Sequence, residues 1–243
     1  MSETTSSNSA TPALSVPVAI IIAGAFIALA VYFSGARTGA PLAPAPDGAP
    51  VATGQAPAQP TPGAFRPVDD TDHVRGALNG AITIIEYSDL ECPFCKQYHA
   101  TLAQIMKDYP NDVRWVYRHA PLAQLHSKAP AEANAAECAG EQGKFWEFVD
   151  EVFATSPTNN GLDLATLPDI AKRVGVSDIA KFNSCVESNK YASLVDDQLQ
   201  DSYAAGLRGT PFSVIMNKEG EKKAISGAQP IASIKVAIDS LLE

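Results

Sequence analysis

The sequence predicts an α/β domain in which a strand–helix–strand unit and a strand–strand–helix unit are separated by a block of helices. Three observations carry this. Ala81-Ile82-Thr83-Ile84-Ile85-Glu86-Tyr87 is an apolar run of strand length, and the stretch after it sets Phe94, Tyr98, Leu102, Ile105, Met106 and Tyr109 at helical spacing. From about residue 127 to 207 every apolar pattern is helical. Strand character returns at Phe212-Ser213-Val214-Ile215-Met216, and one more amphipathic stretch closes the chain.

Taken in order, residues 81–87 read as a strand buried on both faces, because apolar side chains occupy both parities. Residues 94–109 form the helix that follows. Pro110-Asn111-Asp112 supplies a turn, and Val113-Arg114-Trp115-Val116-Tyr117-Arg118 supplies the next strand. A unit of this length implies parallel pairing with a right-handed crossover. In the helical block, Ala131, Ala135, Cys138 and Gln142 share one stripe, continued by Phe145, Trp146, Val149, Val152 and Phe153 past a break near Gly143; an interior glycine costs a helix about 1 kcal/mol. Thr166 is placed as the cap of a helix with Pro168 in its first turn and Gly175 at its end. Ser177 is placed as the cap of the next, which carries Ile179, Phe182, Cys185 and Val186, and another helix runs from about Tyr191 to Ala205. Asn217-Lys218-Glu219-Gly220 turns the returning strand into a partner at 222–226. Pro230 opens a last helix with Ile231, Ile234, Ile238, Leu241 and Leu242 on one face. The order β-α-β, helices, β-β-α is that of a thioredoxin-like fold with a helical insertion at about 127–207.

This domain takes up 68–243. Residues 1–15 read as a disordered tail. No charge falls between Glu3 and Arg37, and Val16 to Phe33 is almost wholly apolar, close to the roughly 20 residues that span a bilayer. Residues 16–34 are therefore read as a transmembrane anchor. A cleaved signal peptide is the alternative, disfavoured because no Lys or Arg precedes the run. Residues 35–67, rich in Ala, Pro and Gly, cannot bury enough apolar surface to offset their ordering entropy and are read as a disordered linker. A net charge of -9 with no basic stripe argues against a nucleic-acid partner. The four cysteines, an even number behind a membrane-targeting segment, fit an oxidising compartment. The expected location is the cell membrane, single-pass, with the domain outside the cytoplasm, or a secreted form if the leader is cleaved.

The chemistry concentrates at Cys92-Pro93-Phe94-Cys95, between strand and helix. The first cysteine falls at the helix N-terminus, where partial positive charge favours a thiolate. Cys92 is the candidate nucleophile, expected to be exposed, and Cys95, a turn further in, the buried resolving thiol. Spacing alone leaves a zinc half-site or a structural clip open. Cys138 and Cys185 both fall on predicted helices and are read as a structural disulfide whose loop closure contributes about 4 kcal/mol, with two buried thiols as the alternative. His73, His99, His119 and His126 show no metal-ligand spacing, so no metal is expected; His99 is placed on an exposed helix face, and Tyr98, Trp115 and Trp146 in the core.

The chain resembles the DsbA-like thiol–disulfide oxidoreductases of the thioredoxin superfamily. The residues that carry the resemblance are 85–95 (IEYSDLECPFC), supported by 118–122 (RHAPL), 136–139 (AECA), 142–146 (QGKFW) and Gly209-Thr210-Pro211. Three expectations follow from it. Pro211, which sequence alone reads as an ordinary trans proline at a strand start, becomes a cis proline facing Cys92-Pro93-Phe94-Cys95, and Thr210, Pro211, Pro93 and Phe94 become the substrate-binding surface. Glu86, otherwise a solvent-facing strand end, becomes a buried acid that shuttles a proton for Cys95. Phe94 departs from the strongest oxidants of the family, which carry His there, and Thr210 occurs in isomerases and reductants, so the direction of electron flow stays open. The expected activity is disulfide exchange with extracytoplasmic protein substrates. Recycling would fall to a redox partner in the membrane, and no cofactor is needed beyond the redox-active Cys92–Cys95 pair. The alternative is a non-catalytic peptide-binding module in which that pair is inert.

Overall fold

A computed structural model describes residues 61–243. The predicted tail (1–15), the anchor (16–34) and the linker as far as residue 60 lie outside the described residues. Among the described residues no helix is long and apolar enough to cross a membrane.

Strands β1 (His73–Gly76), β2 (Ile82–Ser88), β3 (Val113–His119), β4 (Phe212–Asn217) and β5 (Lys222–Ser226) form one sheet in the order β1-β3-β2-β4-β5. β2 and β3 are parallel; the other pairs are antiparallel. All seven residues of β2 are buried because both faces of the sheet are covered. On one face Ile82, Ile84, Trp115 and Ile215 pack with Leu102 and Ile105 of helix α1 (Pro93–Asp108) and with Ile234 and Ile238 of helix α7 (Ile231–Leu242). The opposite parity, Ile85, Tyr87, Val116, Phe212 and Val214, packs against helix α6 (Ala192–Ala205) through Leu199 and Ala205, and against Phe65.

The insertion holds α2 (Ala129–Gly140), α3 (Phe145–Thr155), α4 (Leu167–Arg173), α5 (Ile179–Glu187) and α6. Phe145, Phe148, Val149, Val152 and Phe182 form its core with Ala135, Ala136 and Ala139, and that core reaches Cys92 and Cys95. The predicted break falls where expected: Gly143 takes φ 69°, which a side chain would strain. Cys138 and Cys185 are bonded to each other, tying α2 to α5.

Four local expectations are corrected. β1 was not anticipated; it is a short edge strand with no fully buried residue, so it carries no alternation to read. Thr166 does not cap α4: its hydroxyl donates to the Asp163 carbonyl at 2.6 Å, and Asp163 caps a 3₁₀ turn, Leu164–Thr166, that leads into the helix. Asp178, not Ser177, caps α5, accepting from the Lys181 amide at 2.9 Å, while the Ser177 hydroxyl donates to Gln142 Oε1. The end of the predicted linker is docked. The Gly63 amide donates to the Ala205 carbonyl at 2.8 Å. The buried Arg118 guanidinium donates to the carbonyls of Arg66 and Pro67 and to the carboxylates of Asp72 and Asp201. A buried guanidinium keeps its charge only with such partners, and here all but Asp201 of α6 come from the segment before β1.

Candidate active site

Cys92 sits at the position before the first turn of α1, with extended backbone, and Pro93 begins the helix. No side chain caps this end, so the first amides of α1 face the sulfur. Both Cys92 and Cys95 are free thiols. Contrary to expectation, Cys92 is buried at 4 % exposure, while Cys95 is at 0 %. The covering element is the Thr210-Pro211 turn: this peptide bond is cis, and the Cys92 thiol donates to the Thr210 carbonyl at 3.5 Å. Phe94 is the outward member of the motif, 61 % exposed.

The two thiols are driven apart in acidity. A hydrogen bond from Cys95 does most to lower Cys92; burial works against it, and the Thr210 side chain and the amides of Cys95 and Phe94 add to the fall, to about 6. Burial, then the interaction with Cys92, then the nearby Glu86 carboxyl push Cys95 well above an ordinary thiol, although the Asp89 amide donates to its sulfur at 3.4 Å. Glu86 is wholly buried beneath Cys95. Burial raises its carboxyl to about 7, against the opposing effects of Ser88 and of Trp115, whose indole N–H donates to Oε2 at 2.9 Å.

The turn before Cys92 is fastened by carboxylates that the sequence reading did not single out. Asp89 accepts from the amides of Glu91 and Leu122 and pairs with His126 at 2.9 Å. Glu91 accepts from the Asn160 amide and through its carbonyl from Asn159. Buried Glu132 of α2 lies near Glu91; burial first, then the Glu91 carboxyl, raise Glu132 to about 10, which favours its protonated form. Only the pattern 89-x-91, two acids immediately before a reactive cysteine, could have flagged them. His99 is also corrected: it is buried, pairs with Asp150 at 2.8 Å and packs on Trp115 and Phe153. Among the described residues no cluster of His, Cys, Asp or Glu could hold a metal ion.

Comparison with known proteins defines the class. The profile of the family described as thioredoxin matches residues 68–240. DsbA2 of Pseudomonas aeruginosa, a solved structure, is 32% identical, with 70% of this chain and 94% of that chain covered and a TM-score of 0.59. BdbD of Bacillus subtilis in its oxidised form shares the fold at 20% identity, covering 75% of this chain and 99% of that one, with a TM-score of 0.65. The chain belongs to the thioredoxin family, in its DsbA-like branch. Among curated proteins, the Na(+)/H(+) antiporter NhaA 1 of Salinispora arenicola is 36% identical over 175 residues, 72% of this chain but 25% of that protein. The chain thus spans about a quarter of the length of the curated relatives it matches.

Proposed function

We propose that the protein is a thiol–disulfide oxidoreductase that exchanges disulfides with protein substrates through Cys92 and Cys95. The observation that supports this most is the geometry of two free thiols one helical turn apart at the start of α1, the first against the Thr210 carbonyl at 3.5 Å and the second wholly buried. Cys92, near 6, is poised as thiolate and attacks a substrate disulfide. Cys95, held protonated, gives its proton to Glu86 and then displaces the substrate from the mixed disulfide. Thr210 and Pro211, with Pro93 and the outward Phe94, form the surface that meets the substrate chain. Cys138–Cys185 serves as a structural bond.

The apolar run at 16–34 is proposed as the membrane anchor, with the domain outside the cytoplasm, extracytoplasmic proteins as substrates and a redox partner in the membrane for recycling. Behind this stand the apolar sequence itself and the internal disulfide. An activity reporter fused after Glu243 is expected to be active only outside the cytoplasm; cytoplasmic activity would rule the topology out.

A reduction-potential titration of Cys92–Cys95 tests the activity. A potential between about -120 and -270 mV is expected. A value below about -300 mV would mark an inert structural bond, the non-catalytic peptide-binding alternative. Full exchange activity in Cys92→Ser would also defeat the mechanism.

A further inference from the structure

Resolution of the mixed disulfide leaves a proton on Glu86, which is completely buried. Glu86 must shed that proton before it can accept another, and the next mixed disulfide again covers Cys92, so the substrate-facing side is closed to it when the group has to be reset. The sheet offers another way out. His73 of β1 pairs with Tyr117 of β3, Tyr117 with Glu86 of β2, and Glu86 with Ser213 of β4. Directly paired residues share a face, so these four side chains form one row across four strands beneath the helices. One step along, Ser88 pairs with His119 on the same face. Buried sheet rows are ordinarily apolar; this one is polar from the centre to the edge.

The links continue beyond the sheet. The Ser88 hydroxyl acts on both Glu86 and Tyr117. The oxygens of Ser88 and Tyr117, like Glu86 Oε1, are buried without a closed hydrogen bond, so these rotors are free to reorient. The Tyr117 ring meets His119 edge-on at 5.2 Å between centroids. His119 Nε2 lies 3.2 Å from Glu137 Oε1, and Glu137 Oε2 lies 2.8 Å from His73 Nε2. His119 and Glu137 are buried, whereas the His73 side chain is 22% exposed at the sheet edge. Burial favours the neutral form of Glu137, but the bonds to His119 and then His73 prevail and hold its carboxyl down to about 2, as a carboxylate between two imidazoles.

We propose that Glu86 exchanges its proton with solvent along this row, through Ser88, Tyr117, His119 and Glu137 to His73 at the β1 edge, so that Glu137 and His73 are positioning residues for the resolving step. The inference rests on the proposed exchange activity. The step balances: the Cys95 thiol gives a proton to the Glu86 carboxylate, the Cys95 sulfur bonds to the Cys92 sulfur, and the Cys92–substrate bond breaks. The cysteine pair is oxidised, the substrate disulfide is reduced, and the substrate departs as thiolate. The row then passes the proton outward, and it runs inward for the opposite direction of exchange.

The test uses the full chain, a mixed disulfide trapped on Cys92 with a model peptide, and the rate of peptide release. Two variants are made, Glu137→Gln and His73→Phe. The second keeps the ring that stacks on Phe145 at 3.4 Å and removes its nitrogens; it keeps the test open if the first does not fold. Expected are release slowed about tenfold or more, a larger solvent deuterium isotope effect, recovery on adding imidazole buffer, and an unchanged alkylation rate at Cys92. A merely structural role would not respond to imidazole. Release within twofold of the parent in a folded variant, with the isotope effect unchanged and no imidazole response, overturns the row alone. A parent that forms no mixed disulfide overturns the proposed function and the row with it.

Discussion

The indole N–H of Trp115 donates to Glu86 Oε2 at 2.9 Å, and neither side chain reaches solvent. A buried acid near 7 is thus held between burial, which favours its neutral form, and a donor that favours its charged form. Trp115→Phe removes the donor and leaves burial less opposed. The Glu86 carboxyl is expected to rise above about 7, seen as a protonated-carboxyl infrared band that persists to higher pH than in the parent.

The same group links stability to pH. Its folded value, about 7, lies above its unfolded value of 4.5. The folded state therefore binds the proton more tightly, and its contribution is complete below 4.5 and lost as pH rises through about 7. At pH 8 the buried charge costs about 3 kcal/mol. Glu86→Gln is expected to exceed the parent in stability by that order at pH 8 and to match it at pH 4, measured by urea unfolding. Equal stabilities at both pH values would remove burial as the cause.

The hydrogen bond from Cys95 is the largest single cause of the low value of Cys92. Cys95→Ala deletes the donor; Cys95→Ser retains one. Alkylation of Cys92 as a function of pH is expected to give a midpoint near 6 in the parent, a clearly higher one in Cys95→Ala, and one close to the parent in Cys95→Ser. Identical midpoints in the two variants would assign the shift to the helix end instead.

The bond between Cys138 and Cys185 closes a loop of sequence separation 47 between helices that share the insertion core. Its removal in Cys138→Ala/Cys185→Ala is expected to lower unfolding stability by about 4 kcal/mol while leaving the alkylation midpoint of Cys92 in place. A shifted midpoint would show that the insertion shapes the reactive thiol.

Strands β2 to β5, the helix after β2, the insertion and the placement of Cys92 and Cys95 between β2 and α1 were legible because each rests on local periodicity. Glu86 was legible only through the family resemblance, since a single acid in an apolar run does not declare which way it faces. What escaped depends on contacts made across the chain. Cys92 was read as exposed because it stands at the open start of a helix; Thr210, 118 residues away, covers it. His99 was misread by residue type, not by spacing: it lies four residues from Cys95 and three from Leu102, on the same buried stripe. The row from Glu86 to His73 needs the strand register, which no single strand encodes.

Arg118 spends its buried charge on partners from both ends of the fold, Asp72 at 2.8 Å and Asp201 at 2.8 Å. Arg118→Met leaves the buried Asp72 carboxylate with only Arg66, which donates to it at 2.7 Å, and the Asp69 amide, and is expected to lower stability in urea unfolding by less than the roughly 3–5 kcal/mol of a wholly unpaired charge. Replacing both, Asp72→Leu with Arg118→Met, is expected to recover part of that loss.

That arrangement also decides what a protease can remove without harm. The folded unit does not begin at its first strand. Cutting the chain ahead of Gly63 leaves every acceptor of Arg118 attached. Cutting between Pro67 and Asp72 frees both carbonyls that Arg118 holds and the backbone tie of Gly63 to Ala205. Two nicks a few residues apart would therefore yield one fragment that stays assembled and another that has lost its latch.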